Sequence, residues 1–151
     1  MRIKRIHNIM KTVLASVPVV VSIGAVTFVE VDARGFDRVL WTIITGATGA
    51  GSSTLSFKVQ DSATAGGALA DQTGAASAGI VKATGASKIA SQLDAPVNAA
   101  RPFLTPSAAV GTDTMVVCVI AQLYKANSGL AGPTAPIAYP IANSAVELVI
   151  V

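Results

Sequence analysis

The sequence predicts an all-β protein, an antiparallel β-sandwich or barrel with an extended N-terminal arm and a Pro-rich C-terminal tail. Short apolar runs rich in Val and Ile are separated by clusters of Gly, Pro, Asn and Asp, as in chains built of strands and turns. The stretch 54–60 alternates apolar and polar residues with the period of two that strands show. No stretch favours a helix of three turns, so the strand pattern decides the class.

Composition indicates a subunit of an assembly. The 151 residues suit one domain, and 13% charged residues is about half the usual share, while 52% are hydrophobic. Much of the apolar content is small, with 27 Ala beside seven aromatic residues. Because small side chains bury little area each, we expect partner subunits to add stability.

Positive charge is concentrated at the N-terminus. No acidic residue precedes Glu30, and four of the 11 basic residues lie in the first eleven positions: Arg2, Lys4, Arg5 and Lys11. The remaining seven basic and eight acidic residues give the body a net charge of −1. We therefore expect the arm to bind an acidic protein surface, and we expect no nucleic acid to bind the body, which lacks a basic stripe.

Residues 12–29 form the strongest signal for a membrane or export function. They are eighteen consecutive uncharged positions after a basic start, the length of a short membrane span or of a signal peptide core. Pro18 and the Val-rich content favour a strand over a continuous helix. The sequence thus predicts no membrane partner, and an exported or membrane-anchored β-domain is the alternative.

Three strands are predicted in the first half of the body, at 25–31, 38–45 and 54–60. The second is apolar on both faces, which indicates burial on both sides. The third should point Leu55, Phe57 and Val59 inward. A Gly-rich turn at 46–53 predicts that the second and third strands form a hairpin. We expect Trp41 and these inward residues to share one buried layer with the strand at 114–124.

The second half of the body is harder to interpret. Residues 62–78 are low-complexity Ala, Gly, Ser and Thr, typical of a surface loop or of a loop packed on a neighbouring subunit. Weaker strands are predicted at 88–93 and 103–104, and the strongest at 114–124. The resulting organisation is an arm and extended segment at 1–24, a β domain at 25–130, and a tail at 131–151.

The tail is predicted to make a contact between subunits. Three prolines hold residues 131–140 extended, and an apolar strand follows at 146–151. Its exposed edge would aggregate if left unpaired, so strand addition to a neighbour should cover Leu148 and Ile150. The alternative is an edge strand of the same domain.

The motifs that resemble catalytic or binding sites each lack a required part. The Gly-rich stretch at 46–53 approaches a phosphate-binding loop, but Ser52 stands where the lysine is needed. Glu30 and Asp32 share a strand face and are expected to pair with Arg34 or Arg38 rather than form an acid and base pair. Cys118, in an apolar strand, is expected to be a buried structural thiol. We therefore predict no enzyme, no cofactor and no metal site.

Two segments resemble the small head proteins of tailed bacteriophages that decorate or cement the outside of the capsid. They are Val-Asp-Ala-Arg-Gly-Phe-Asp-Arg-Val at 31–39 and Leu-Ser-Phe-Lys-Val-Gln-Asp-Ser at 55–62. An Arg-flanked aromatic strand at 101–104 and a Val- and Ala-containing strand at 116–124 extend the likeness over about residues 30–127. The Ala/Gly stretch at 63–78 replaces an acidic turn of that group, and the arm and the tail have no counterpart.

The resemblance implies a structural virion protein at the capsid surface. Such a protein would bind the major capsid protein and stabilise the shell, as a homo-oligomer and specifically a trimer. Another virion subunit, from the coat, tail or fibre, is the alternative within the structural class. The residues expected to bind partners are Arg2, Lys4, Arg5, Lys11, Leu148 and Ile150.

Overall fold

The computed structural model describes residues 10–47, 53–81, 88–125 and 137–140. These residues form ten strands and no helix. The strands are β1 (Met10–Val21), β2 (Gly24–Thr27), β3 (Val31–Asp32), β4 (Arg38–Ala47), β5 (Thr54–Ser62), β6 (Ala70–Val81), β7 (Lys88–Pro96), β8 (Phe103–Val110), β9 (Met115–Tyr124) and β10 (Ile137–Pro140). The predicted all-β class is confirmed, and of the two predicted architectures the sandwich is found.

Two antiparallel sheets of five strands make the sandwich. The first sheet has the order β1-β9-β4-β7-β10. The second has the order β2-β8-β5-β6, with β3 also paired to β8. Every strand pairing is antiparallel, as the alternation of inward and outward residues predicts.

The core lies between the two sheets and follows the period of two. Leu55, Phe57 and Val59 of β5 are 0 to 1% exposed. The first sheet contributes Trp41 and alternate residues of β9, namely Met115, Val117, Val119, Ala121 and Leu123. The rings of Trp41 and Phe57 meet across the sandwich with centroids 6.2 Å apart. The predicted inward face and the predicted shared layer are thus confirmed.

The predicted hairpin of β4 and β5 is wrong. In the first sheet β4 lies between β7 and β9, whereas β5 lies between β6 and β8 in the second. The chain therefore crosses from one sheet to the other after residue 47, through a connection that includes residues 48–52, outside the described part. Alternation shows which residues face the core, but it does not show which side of the core a strand lies on, because both sheets present apolar residues to it.

The low-complexity stretch at 62–78, expected to be a loop, instead enters a twelve-residue strand at residue 70, which continues to residue 81. β6 pairs with β5 and buries Ala75 completely. Near the N-terminal end of β6, Asp71 forms an ion pair with Lys58 of β5, whose Nζ lies 2.8 Å from a carboxylate oxygen of Asp71. The backbone groups of a strand in a ladder are paired with those of its neighbour. Large side chains are therefore not needed to hold β6 in the sheet.

The predicted strand at 25–31 is interrupted. β2 and β3 both pair with β8, and between them the Phe28 N–H donates to the Pro106 carbonyl at 2.9 Å. In an antiparallel ladder the N and the carbonyl of one residue face the same neighbour, so the nitrogen of Pro106 faces this interruption and not β5. A proline is tolerated within β8 because the missing N–H falls where the neighbouring strand is broken.

The remaining predicted strands are found, with longer bounds in β7 and β8. β10 pairs with β7 of its own chain over Ile137–Pro140. The expectation that the tail contacts a neighbouring subunit and does not fold back is therefore wrong for these four residues. They pair instead with β7, which has a free side in the first sheet of the same chain. The predicted strand at 146–151, with Leu148 and Ile150, lies outside the described residues.

Residues 10–21 form a strand that pairs with β9 from Met10 opposite Tyr124 to Val21 opposite Met115. The boundary expected at residue 24 thus does not separate an arm from the domain in the described part, because β1 completes the first sheet. Within the described ranges no helix has the length and apolar character needed to cross a membrane.

Candidate docking surface

The large exposed apolar side chains are concentrated in one stretch of the chain. Of the eight large apolar residues exposed in the described part of the chain, seven lie between residues 10 and 29. They are Met10, Leu14, Val17, Val19, Val20, Ile23 and Val29, with exposures from 37% to 67%. We term these seven residues the β1 flank. Contiguous exposed apolar surface on a small protein typically marks an interaction site.

Strand register explains why part of the flank is exposed. Leu14 lies opposite Ile120, and Val20 lies opposite Val116, on the side of the first sheet that faces away from the core. Ile120 and Val116 are themselves only half-buried. The solvent face of a sandwich sheet is normally polar, so the apolar side chains at this edge depart from the usual pattern.

The edge of β1 is poorly suited to continuous strand addition. Two register shifts interrupt its ladder, between Leu14 and Ser16 and between Ser16 and Val19, with Pro18 inside the second. The Ala15 carbonyl already accepts a hydrogen bond from the Val29 N–H at 3.1 Å. Prolines and bulges are devices that prevent edge-to-edge pairing of sheets. The flank therefore offers its side chains, more than its backbone, to a partner.

Cys118 of β9 is hydrogen-bonded to the irregular part of β1. It is 7% exposed, and its thiol donates to the Ser16 carbonyl over 3.1 Å. Burial raises the pKa of the thiol. The predicted role as a buried structural thiol agrees with this position.

Of the six residues predicted to bind partners, Lys11 lies in the described part. It is exposed on β1, opposite Leu123, at the end of the flank that continues into the basic arm. Arg2, Lys4, Arg5, Leu148 and Ile150 lie outside the described residues. The structure thus places one predicted cation beside an apolar surface that the sequence analysis did not identify as a site.

Near Lys11, Asp32 forms the ion pair expected from the sequence. Arg34 donates from Nε at 2.9 Å and from Nη2 at 2.6 Å to the two carboxylate oxygens of Asp32. Hydrogen bonds from the Arg34 side chain and backbone lower the pKa of Asp32 from 3.8 to about 2. The predicted pairing with Arg34 is confirmed. Glu30 instead accepts a hydrogen bond from the Gly66 N–H at 3.1 Å.

Asp32→Asn is expected to lower stability at pH 7 by less than about 1 kcal/mol, because both partners are solvent-exposed. A carboxyl whose pKa is depressed on folding stabilises the protein above its unfolded pKa, and this contribution is lost as the pH falls through the folded value. The difference from wild type should therefore shrink between about pH 4 and pH 2. Chemical denaturation across this range measures it. A gap that stays constant down to pH 2 contradicts the assignment.

Arg38, the other expected partner, belongs to a different cluster. Its Nη2 lies 3.1 Å from the Asp94 carboxylate, and both side chains are largely buried, at 6% and 12% exposure. The Tyr124 hydroxyl donates to the same carboxylate at 2.8 Å. Burial, with the hydrogen bond to Asp94, raises the pKa of Tyr124. The cluster ties together β4, β7 and β9, the strands that carry Arg38, Asp94 and Tyr124.

Within the described ranges no group of three or more His, Cys, Asp or Glu side chains is arranged to hold a metal ion. The described residues form an all-β sandwich with exposed apolar side chains on and beside its edge strand β1. Comparison with known proteins found no matching family model, curated protein or solved structure.

Proposed function

We propose that this chain is a structural virion protein of a tailed bacteriophage, a decoration protein that binds the major capsid protein at the capsid surface and stabilises the shell. The observation that carries the proposal is the β1 flank, whose exposed apolar residues follow the basic arm directly in the sequence. A weakly charged sandwich with such an edge is suited to tiling against other subunits. The resemblance in sequence at 31–39 and 55–62 supports the capsid as the partner.

A protein partner fits the flank better than a lipid bilayer. β1 has β9 as its one strand neighbour in the described part of the chain, so backbone groups lie along its outer side. Such groups have no hydrogen-bond partners in hydrocarbon and cost several kcal/mol each there. A protein surface can satisfy them with side chains, backbone or trapped water.

Binding to shells of the major capsid protein from the same phage tests the proposal. Leu14→Asp places a charge in the flank at an exposed position and is expected to weaken co-sedimentation with the shells at least tenfold. Leu69→Asp is the matched control, because Leu69 is 42% exposed and lies outside the flank. Failure of the wild-type chain to bind shells overturns the function, and equal binding by both variants overturns the role of the flank.

The basic arm should give shell binding its dependence on salt. Deleting residues 1–9 leaves β1 intact, because this strand begins at Met10. The shortened chain is expected to bind more weakly at low ionic strength and to approach wild type as salt screens the arm, since exposed charges are screened beyond about 8 to 10 Å. Replacing Arg2, Lys4 and Arg5 with Gln is the matched control for charge. Unchanged binding at low salt by both variants contradicts the expectation.

A further inference from the structure

No further inference is drawn: the strongest candidate, the groove of about 410 Å³ between the start of β6 and the segment after β7, is lined by the carboxylates of Asp61 and Asp71, which Arg101 and Lys58 already pair, and nothing in the described part of the chain shows what would occupy it.

Discussion

Phe57→Ala is expected to lower the free energy of unfolding by about 3 to 5 kcal/mol, the usual range for emptying a buried aromatic site. Phe57 is 1% exposed and meets Trp41 across the two sheets, at a centroid distance of 6.2 Å. Its removal leaves a cavity at the centre of the sandwich, where neither sheet can move inward without breaking its own ladder. Denaturant unfolding, monitored by Trp41 fluorescence, measures the loss.

The neighbouring position on the same strand provides the control. Ser56 is exposed on the outer face of β5, so Ser56→Ala should change stability by less than about 0.5 kcal/mol. Phe57→Leu should fall between the two, because it keeps part of the buried volume. A loss below about 1 kcal/mol for Phe57→Ala would show that the two sheets do not pack through this residue.

Asp94→Ala is expected to cost about 3 to 5 kcal/mol, because it removes the carboxylate that compensates a buried guanidinium. Arg38 binds that carboxylate through Nε and Nη2, and Tyr124 donates to it as well. Burial of the pair leaves little access for water to replace the lost oxygens. The free energy of unfolding at pH 7 measures the effect.

Replacing both members of the pair separates the cost of an uncompensated charge from the value of the pair itself. The double variant Arg38→Met with Asp94→Leu should lose less stability than Asp94→Ala alone, since no buried charge remains. The reverse order of these two variants contradicts the assignment. Tyr124→Phe isolates the hydroxyl and should cost about 1 kcal/mol.

Local alternation was enough to predict the fold class and the inward face of β5. Leu55, Phe57 and Val59 could be assigned because a strand's side chains alternate whatever lies beside it. Sheet membership could not be assigned in the same way. The position of β4 depends on strands that lie more than fifty residues away in the sequence. Leu40 of β4, for example, lies opposite Asp94 of β7 on one side and opposite Gln122 of β9 on the other.

The strand β6 shows a second limit of sequence reasoning. Ala and Gly, which dominate this stretch, are depleted in strands, so its composition predicted a loop. β6 exists because β5 offers it a row of backbone donors and acceptors, and because the core requires little volume at Ala75. These are properties of the neighbours, so no inspection of residues 70–81 alone could have found them.

The candidate surfaces were predictable to different extents. The sequence alone shows the basic arm and Lys11 as a charge asymmetry, and it shows residues 12–29 as an uncharged run. It does not show that Leu14 and Ile23 are exposed, because a run of apolar residues predicts burial. Their exposure follows only from the position of β1 at the edge of its sheet. A pocket on the outer face of the second sheet is formed where small side chains of four strands meet, so only the tertiary arrangement reveals it.

The pairing of β1 with β9 has a consequence for biosynthesis. Met10 lies opposite Tyr124, so β1 pairs with a strand made about a hundred residues later. At about 5 to 20 residues per second, β1 waits for roughly 5 to 20 seconds before its neighbour is synthesised. During that time an apolar, β-prone segment is exposed to other nascent chains, which makes it a natural substrate for chaperones that act during translation. Pairing with β9 then satisfies the backbone groups on one side of β1.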